Sequence, residues 1–224
     1  MNSHPDILCL RGVYGSTNKI NFGKYYDILP DECTDNKLIN ERNNSPVKFI
    51  KEYVFKEYSQ NYMAVGFKYF YDHDRHLKNK DDILNYFVEN KDIKFVHIIR
   101  ENLVETLYSY KRALNNKNWH QKEEKEFSIE IPFEECREYF ENTMTQRNRF
   151  NELFKDRMFG IIYEDFIKQP ELVLTKLQGF LNVPKRIIKT EIVKNFNIPL
   201  SKAIINYSEL KEFFRDSEFK RFFN

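Results

Sequence analysis

Phe95-Val96-His97-Ile98-Ile99 runs straight into Arg100-Glu101-Asn102, and this junction decides the fold. A short apolar run flanked by charged residues predicts a strand. So little alternation predicts a strand covered on both faces, as in a parallel sheet. Asn102 stands where it can cap a following helix, and Glu105, three residues on, completes a capping box. Leu103, Leu107, Tyr110 and Leu114 then recur at helical spacing and predict that helix's apolar side.

The same reading extends outward. Residues 63–70 (MAVGFKYF) predict a strand. Asp81 or Asp82 then opens a helix with Ile83, Leu84, Tyr86, Phe87 and Val88 on its apolar side. Residues 45–58 predict a helix capped by Ser45, with Pro46 at its first position and Val47, Ile50, Tyr53 and Val54 along one face. Downstream, residues 133–155 carry a long helical pattern and residues 158–163 (MFGIIY) predict a third buried strand. Pro170 opens a helix ending near Asn182, with Pro184 as the stop. The aromatic tail, residues 207–222, is expected to pack back as a helix. Strands alternating with helices predict an α/β fold with a mostly parallel sheet flanked by helices. Ligands of such sheets bind beyond the carboxyl ends of the strands, here after Phe70, Ile99 and Tyr163.

Composition bounds the function. With 224 residues, 41% hydrophobic and 31% charged, the chain can bury a core and is read as one domain over residues 1–224. A net charge of +2 argues against a nucleic-acid partner or strong attraction to an acidic membrane, but leaves room for a local basic pocket. Cys9, Cys33 and Cys136 form no CxxC pair, so neither a disulfide framework nor a zinc site is expected. No apolar run approaches the roughly 20 residues that span a bilayer. The first residues lack a basic then apolar leader, and a cytoplasmic location is expected.

Arg100 at a strand end, just before a helix N-terminus, would face the crevice beside amides that favour an anion. Ser109 lies nine residues later on the polar stripe Glu105–Ser109–Arg112. A guanidinium and a hydroxyl together can grip one phosphate. The competing reading pairs Arg100 with a carboxylate and ties Ser109 to a backbone carbonyl one turn back. Among the histidines, His97 reads as a satisfied core residue. His73 and His76 lie in Asp72-His73-Asp74-Arg75-His76, on the ligand side, and read as a solvated polar loop sooner than a metal site. His120 follows Trp119, which could stack on a base or a sugar, and residues 121–135 read as a solvated connection.

Residues 95–113 (FVHIIRENLVETLYSYKRA) resemble the 3′-phosphate-binding segment of sulfotransferases of the bacterial carbohydrate and nodulation type. Five further stretches resemble that family in the same order. They are NSHP at Asn2–Pro5, GFK at Gly66–Lys68, YED at Tyr163–Asp165, FLNVP at Phe180–Pro184, and INYSEL at Ile205–Leu210. The resemblance implies a P-loop-like α/β fold. It also implies 3′-phosphoadenosine 5′-phosphosulfate (PAPS) as co-substrate without a metal, and sulfuryl transfer to a hydroxyl of a carbohydrate or similar small molecule. Arg100 and Ser109 match the family's 3′-phosphate ligands. Lys68 matches a lysine that approaches the transferred group, against the alternative of a lysine snorkelling at a strand edge. His73 is the candidate base.

Two departures accompany the resemblance. The family opens with a strand and a loop of the R-S-G-S-T kind that cradles the 5′-phosphosulfate. No such loop occurs here: residues 12–17 (GVYGST) follow NSHP, are read as a loop, and are expected to follow no strong strand. The chain is therefore expected to start within the family's domain, with its first strand missing. Many relatives also place a glutamate base shortly after NSHP, and aligned on Pro5 and Gly15 that position is Gly12. These departures keep a second reading open, a catalytically inactive remnant that binds a nucleotide or a glycan. A sheet without its first strand would leave unpaired edges, so self-association into a homo-oligomer is expected.

Overall fold

The computed structural model describes residues 2–24, 30–79, 81–116, 127–188 and 198–223. Its strands are β1 (Ile7–Leu10), β2 (Ile20–Asn21), β3 (Glu32–Cys33), β4 (Ala64–Phe67), β5 (Phe95–Ile99) and β6 (Met158–Ile162). Its α-helices are α1 (Asn36–Asn44), α2 (Pro46–Phe49), α3 (Asp81–Glu89), α4 (Leu103–Asn116), α5 (Phe133–Phe154), α6 (Tyr163–Lys168), α7 (Pro170–Leu181), α8 (Leu200–Ala203) and α9 (Tyr207–Phe213). This is the expected mixed α/β class, with short sheets flanked by helices. Among the described residues each sheet holds two strands: β1 parallel to β4, β2 antiparallel to β3, and β5 beside β6. The chain divides into two compact units, Met1–Phe95 with Glu171–Lys189, and Val96–Pro170 with Thr190–Asn224.

In the first unit, β1 corrects the expectation that no strong strand precedes residues 12–17. Its register with β4 runs from Ile7 opposite Ala64 to Leu10 opposite Phe67, and Ile7, Leu8 and Leu10 are buried. Four residues are too few to show a period, so the pattern hid it. The NSHP segment closes this strand's outer edge. Asn2 Nδ2 donates to the Cys9 carbonyl at 2.8 Å and Asn2 Oδ1 accepts from the Cys9 N–H at 2.6 Å. A side-chain amide thus takes the place of a neighbouring strand. His4 is buried; its Nδ1 accepts from the Asp6 N–H at 3.1 Å and its Nε2 donates to the Pro184 carbonyl at 2.8 Å. Two stretches of the resemblance, NSHP and FLNVP, therefore meet as scaffold.

The expected single helix over residues 45–58 is broken up. α1 precedes it, capped by Asp35, whose Oδ1 accepts from the Lys37 and Leu38 N–H groups. α2 then widens into a π-helical turn, Ile50–Val54, closed by the Phe55 N–H on the Ile50 carbonyl at 2.8 Å. Ser45 makes no side-chain cap. The wider turn brings Phe49, Ile50 and Val54 inward together, with Tyr53 stacked 4.9 Å from Phe49. Arg42 is fully buried and clamps the loop after β1: its Nη1 donates to the Val13 and Lys19 carbonyls, and its Nε to Asn43 Oδ1.

In the second unit, α4 and α5 pack with the aromatic tail. The buried face of α4 is Leu103, Val104, Leu107 and Tyr108, whereas Tyr110 and Leu114 are exposed. The expected stripe was rotated because Tyr108 does not read as polar or apolar from sequence; its hydroxyl reaches the Phe127 carbonyl at 2.7 Å while its ring is buried. Phe140 of α5 meets Phe214, Phe219, Phe222 and Phe223. The tail is two pieces, α9 and a 3₁₀ turn over Glu218–Phe223, not one helix. β5 and β6 are not covered on both faces: Ile98 is 64% exposed and Ile161 alone in β6 is buried. Of residues 121–135, those up to 126 lie outside the described residues. The rest is stitched in, with Ile131 buried and Ile129 bridged to Ile204.

Candidate functional site

Arg100 follows β5 directly and stands two residues before Asn102, the cap of α4. Asn102 Oδ1 accepts from the Glu105 N–H at 3.0 Å, and the Thr106 hydroxyl donates to the Asn102 carbonyl at 2.8 Å. The expected cap is therefore present. The Glu105 carboxylate also takes Arg100 Nη2, at 2.9 Å. Arg100 Nη1 points at Ser109 Oγ, at a long 3.5 Å. The spacing of nine residues thus brings guanidinium and hydroxyl together as expected. The competing pairing of Arg100 with a carboxylate is present too, on the same side chain.

The neighbouring groups fix this arginine. Its guanidinium carbon lies 4.4 Å from the centroid of the Tyr163 ring, a cation–π contact. Glu164 accepts from the Glu101 N–H with both carboxylate oxygens, at 3.2 and 3.1 Å. Arg147 Nη2 donates to the Arg100 carbonyl at 2.6 Å. The YED stretch therefore acts on this site: its tyrosine lies under the guanidinium and its glutamate holds the turn that follows. Arg147, deep in α5, left no signal in the sequence beyond one charge on a polar helix. Arg100 Nε is buried without a hydrogen-bond partner. What the arrangement offers is a partly buried cation, a hydroxyl and a helix N-terminus, a combination suited to an anion.

Lys68 and His73 lie in the first unit. Lys68 follows β4; its N–H reaches the Leu10 and Arg11 carbonyls, and its ammonium lies 4.5 Å from the Phe70 ring centroid. Its pKa is lowered, first by desolvation of the ammonium and then by Arg11, although the residue as a whole is exposed. His73 is only 8% exposed, which corrects the expectation of a solvated loop at that residue. Its ring packs edge-on against Phe70 and Tyr69 and fills the space over the Gly12–Gly15 turn. A Cβ at Gly15 would stand 3.1 Å from His73 Nε2, and one at Gly12 3.4 Å from Cε1. His73 Nδ1 is buried and unpartnered. Burial pushes the His73 pKa down to about 4, with Lys68, His76 and Arg42 adding to the effect and Asp72 opposing it. The imidazole is therefore neutral near pH 7 and keeps a lone pair.

His97 Nδ1 lies 3.1 Å from Asn151 Oδ1, so it is satisfied as expected, though half-buried. Trp119 and His120 lie outside the described residues. Among the described residues no group of three His, Cys, Asp or Glu side chains is placed to hold a metal ion. No helix among them is long and apolar enough to cross a membrane.

A sequence profile described as the sulfotransferase family matches residues 31–186. No curated protein matches. Among solved structures, a sulfotransferase from Alicyclobacillus acidocaldarius is similar, with a TM-score of 0.50 and 15% sequence identity, over 96% of this chain and 83% of that one. The likeness in structure supports the α/β fold, and the profile covers both β5 and the Arg100–Ser109 segment.

Proposed function

Since the chain belongs to the sulfotransferase family, we propose that it moves a sulfuryl group from PAPS to a hydroxyl of a carbohydrate or similar small acceptor. The convergence of Arg100 Nη1 and Ser109 Oγ at the capped start of α4 carries this reading. In the proposed reaction the 3′-phosphate of the donor is held by Arg100 and Ser109. The acceptor oxygen attacks sulfur, the bond from sulfur to the bridging phosphate oxygen breaks, and adenosine 3′,5′-bisphosphate leaves. The acceptor's proton goes to a base, for which His73, neutral at pH 7, is the candidate. Lys68 is the candidate cation for charge developing on the departing oxygen.

Calorimetric titration with adenosine 3′,5′-bisphosphate tests the phosphate grip. Arg100→Ala should weaken binding by about 1.5–3 kcal/mol, the loss of a charged hydrogen bond. Unchanged affinity would refute the assignment. Transfer of labelled sulfate from PAPS to a panel of sugars tests the reaction itself. A second reading, nucleotide binding without transfer, draws support from Gly12, which stands where the resemblance places a glutamate base. Binding without labelled product would favour it, and loss of product in His73→Gln with binding retained would favour the first.

A further inference from the structure

The Glu105 carboxylate stands in the way of any phosphate on Arg100. It lies 2.9 Å from Nη2, and Nη2 belongs to both two-pronged faces of a guanidinium, the end face with Nη1 and the side face with Nε. The end face is shared with Ser109, and Nε on the side face is buried without a partner. Glu105 is itself held in place: its N–H is fixed by the Asn102 cap, and its side chain is only 14% exposed. An anion approaching either face meets this negative charge before it gains the guanidinium.

We propose that Glu105 sets the affinity of the site, a built-in carboxylate that competes with the 3′-phosphate for Arg100 and must be displaced when the phosphate binds. The inference rests on the reading of Arg100 and Ser109 as a 3′-phosphate grip. A phosphate dianion repays the lost ion pair with greater charge and two oxygens for the fork. A 3′-hydroxyl offers neither, and leaves the Arg100–Glu105 pair intact. Glu105 thus lowers the affinity for nucleotides that carry a 3′-phosphate and leaves those without one almost unaffected, which keeps the bisphosphate from being held too tightly to leave.

The test is titration of the full chain with adenosine 3′,5′-bisphosphate and with adenosine 5′-monophosphate, which differ by the 3′-phosphate. Glu105→Gln keeps the shape and removes the charge. It should tighten the bisphosphate by about tenfold and change the monophosphate by less than about twofold. Glu105→Ala should act in the same direction, and Arg100→Ala should abolish the gain in a double variant. Weaker or equal bisphosphate binding by Glu105→Gln, with wild-type binding still dependent on Arg100, overturns the proposal and leaves the phosphate grip standing. No bisphosphate binding by either wild type or Glu105→Gln overturns the grip itself.

Discussion

A single residue, His73, carries a pH dependence that can be written down in advance. In the folded chain its pKa is pushed down to about 4, first by burial, while an unfolded chain keeps the ordinary value of 6.5. Lys68, His76 and Arg42 face it with positive charge and only Asp72 opposes them. Above about pH 6.5 neither state binds the proton and stability is at its full value. As pH falls toward 4 the unfolded state takes the proton first, so stability is lost with falling pH. At pH 5 the loss from this residue should be roughly 2 kcal/mol relative to pH 7.5. Urea denaturation at both pH values checks this, and His73→Asn should flatten the difference by about that amount. At this scale the candidate site was partly legible. Arg100 and Ser109 were named by their spacing, because both hang on one strand and one helix. Glu105 reads from sequence as a capping partner, and its ion pair with Arg100 is seen only once the strand end and the helix start are placed together. His73 was read as solvated because a run of His and Asp looks polar whatever covers it.

At the scale of elements, what was legible followed length and regularity. α3, α5 and α7 match their patterns closely, because each presents an apolar stripe over at least nine residues. β1 escaped notice at four residues, and the π-helical turn has no sequence signature separate from an α-helix. The tail illustrates a third cause: what orders it is a polar side chain. Asn206 Nδ2 donates to the Ile131 carbonyl at 2.8 Å and its Oδ1 accepts from the Ile131 N–H at 3.1 Å, both in buried surroundings. This amide continues the bridge between Ile129 and Ile204 and pins the segment before α9 to the strand-like stretch before α5. Asn206→Ala leaves a buried N–H and carbonyl without partners and should destabilise the chain by about 2–4 kcal/mol. Thermal denaturation measures it; a change below about 0.5 kcal/mol would show that water or a shifted backbone replaces the amide.

For the whole molecule, the open strand edges matter most. Among the described residues β4 pairs with β1 alone and β5 with β6 alone. Asn2 covers the outer edge of β1, and among the described residues no comparable amide is bonded to β4 on the side away from β1. Unpaired edges recruit other strands, so purified chain should self-associate with rising concentration. Sedimentation velocity over a hundredfold concentration range tests this, and a constant monomer mass throughout would contradict it. The first unit also joins distant parts of the chain: His4 bonds to Pro184 across 180 residues, and α7 packs with a body made otherwise of the first 95. During synthesis, then, the amino-terminal half must wait on the ribosome with apolar surface uncovered until about residue 184 has emerged, a long interval in which a nascent-chain chaperone has something to hold.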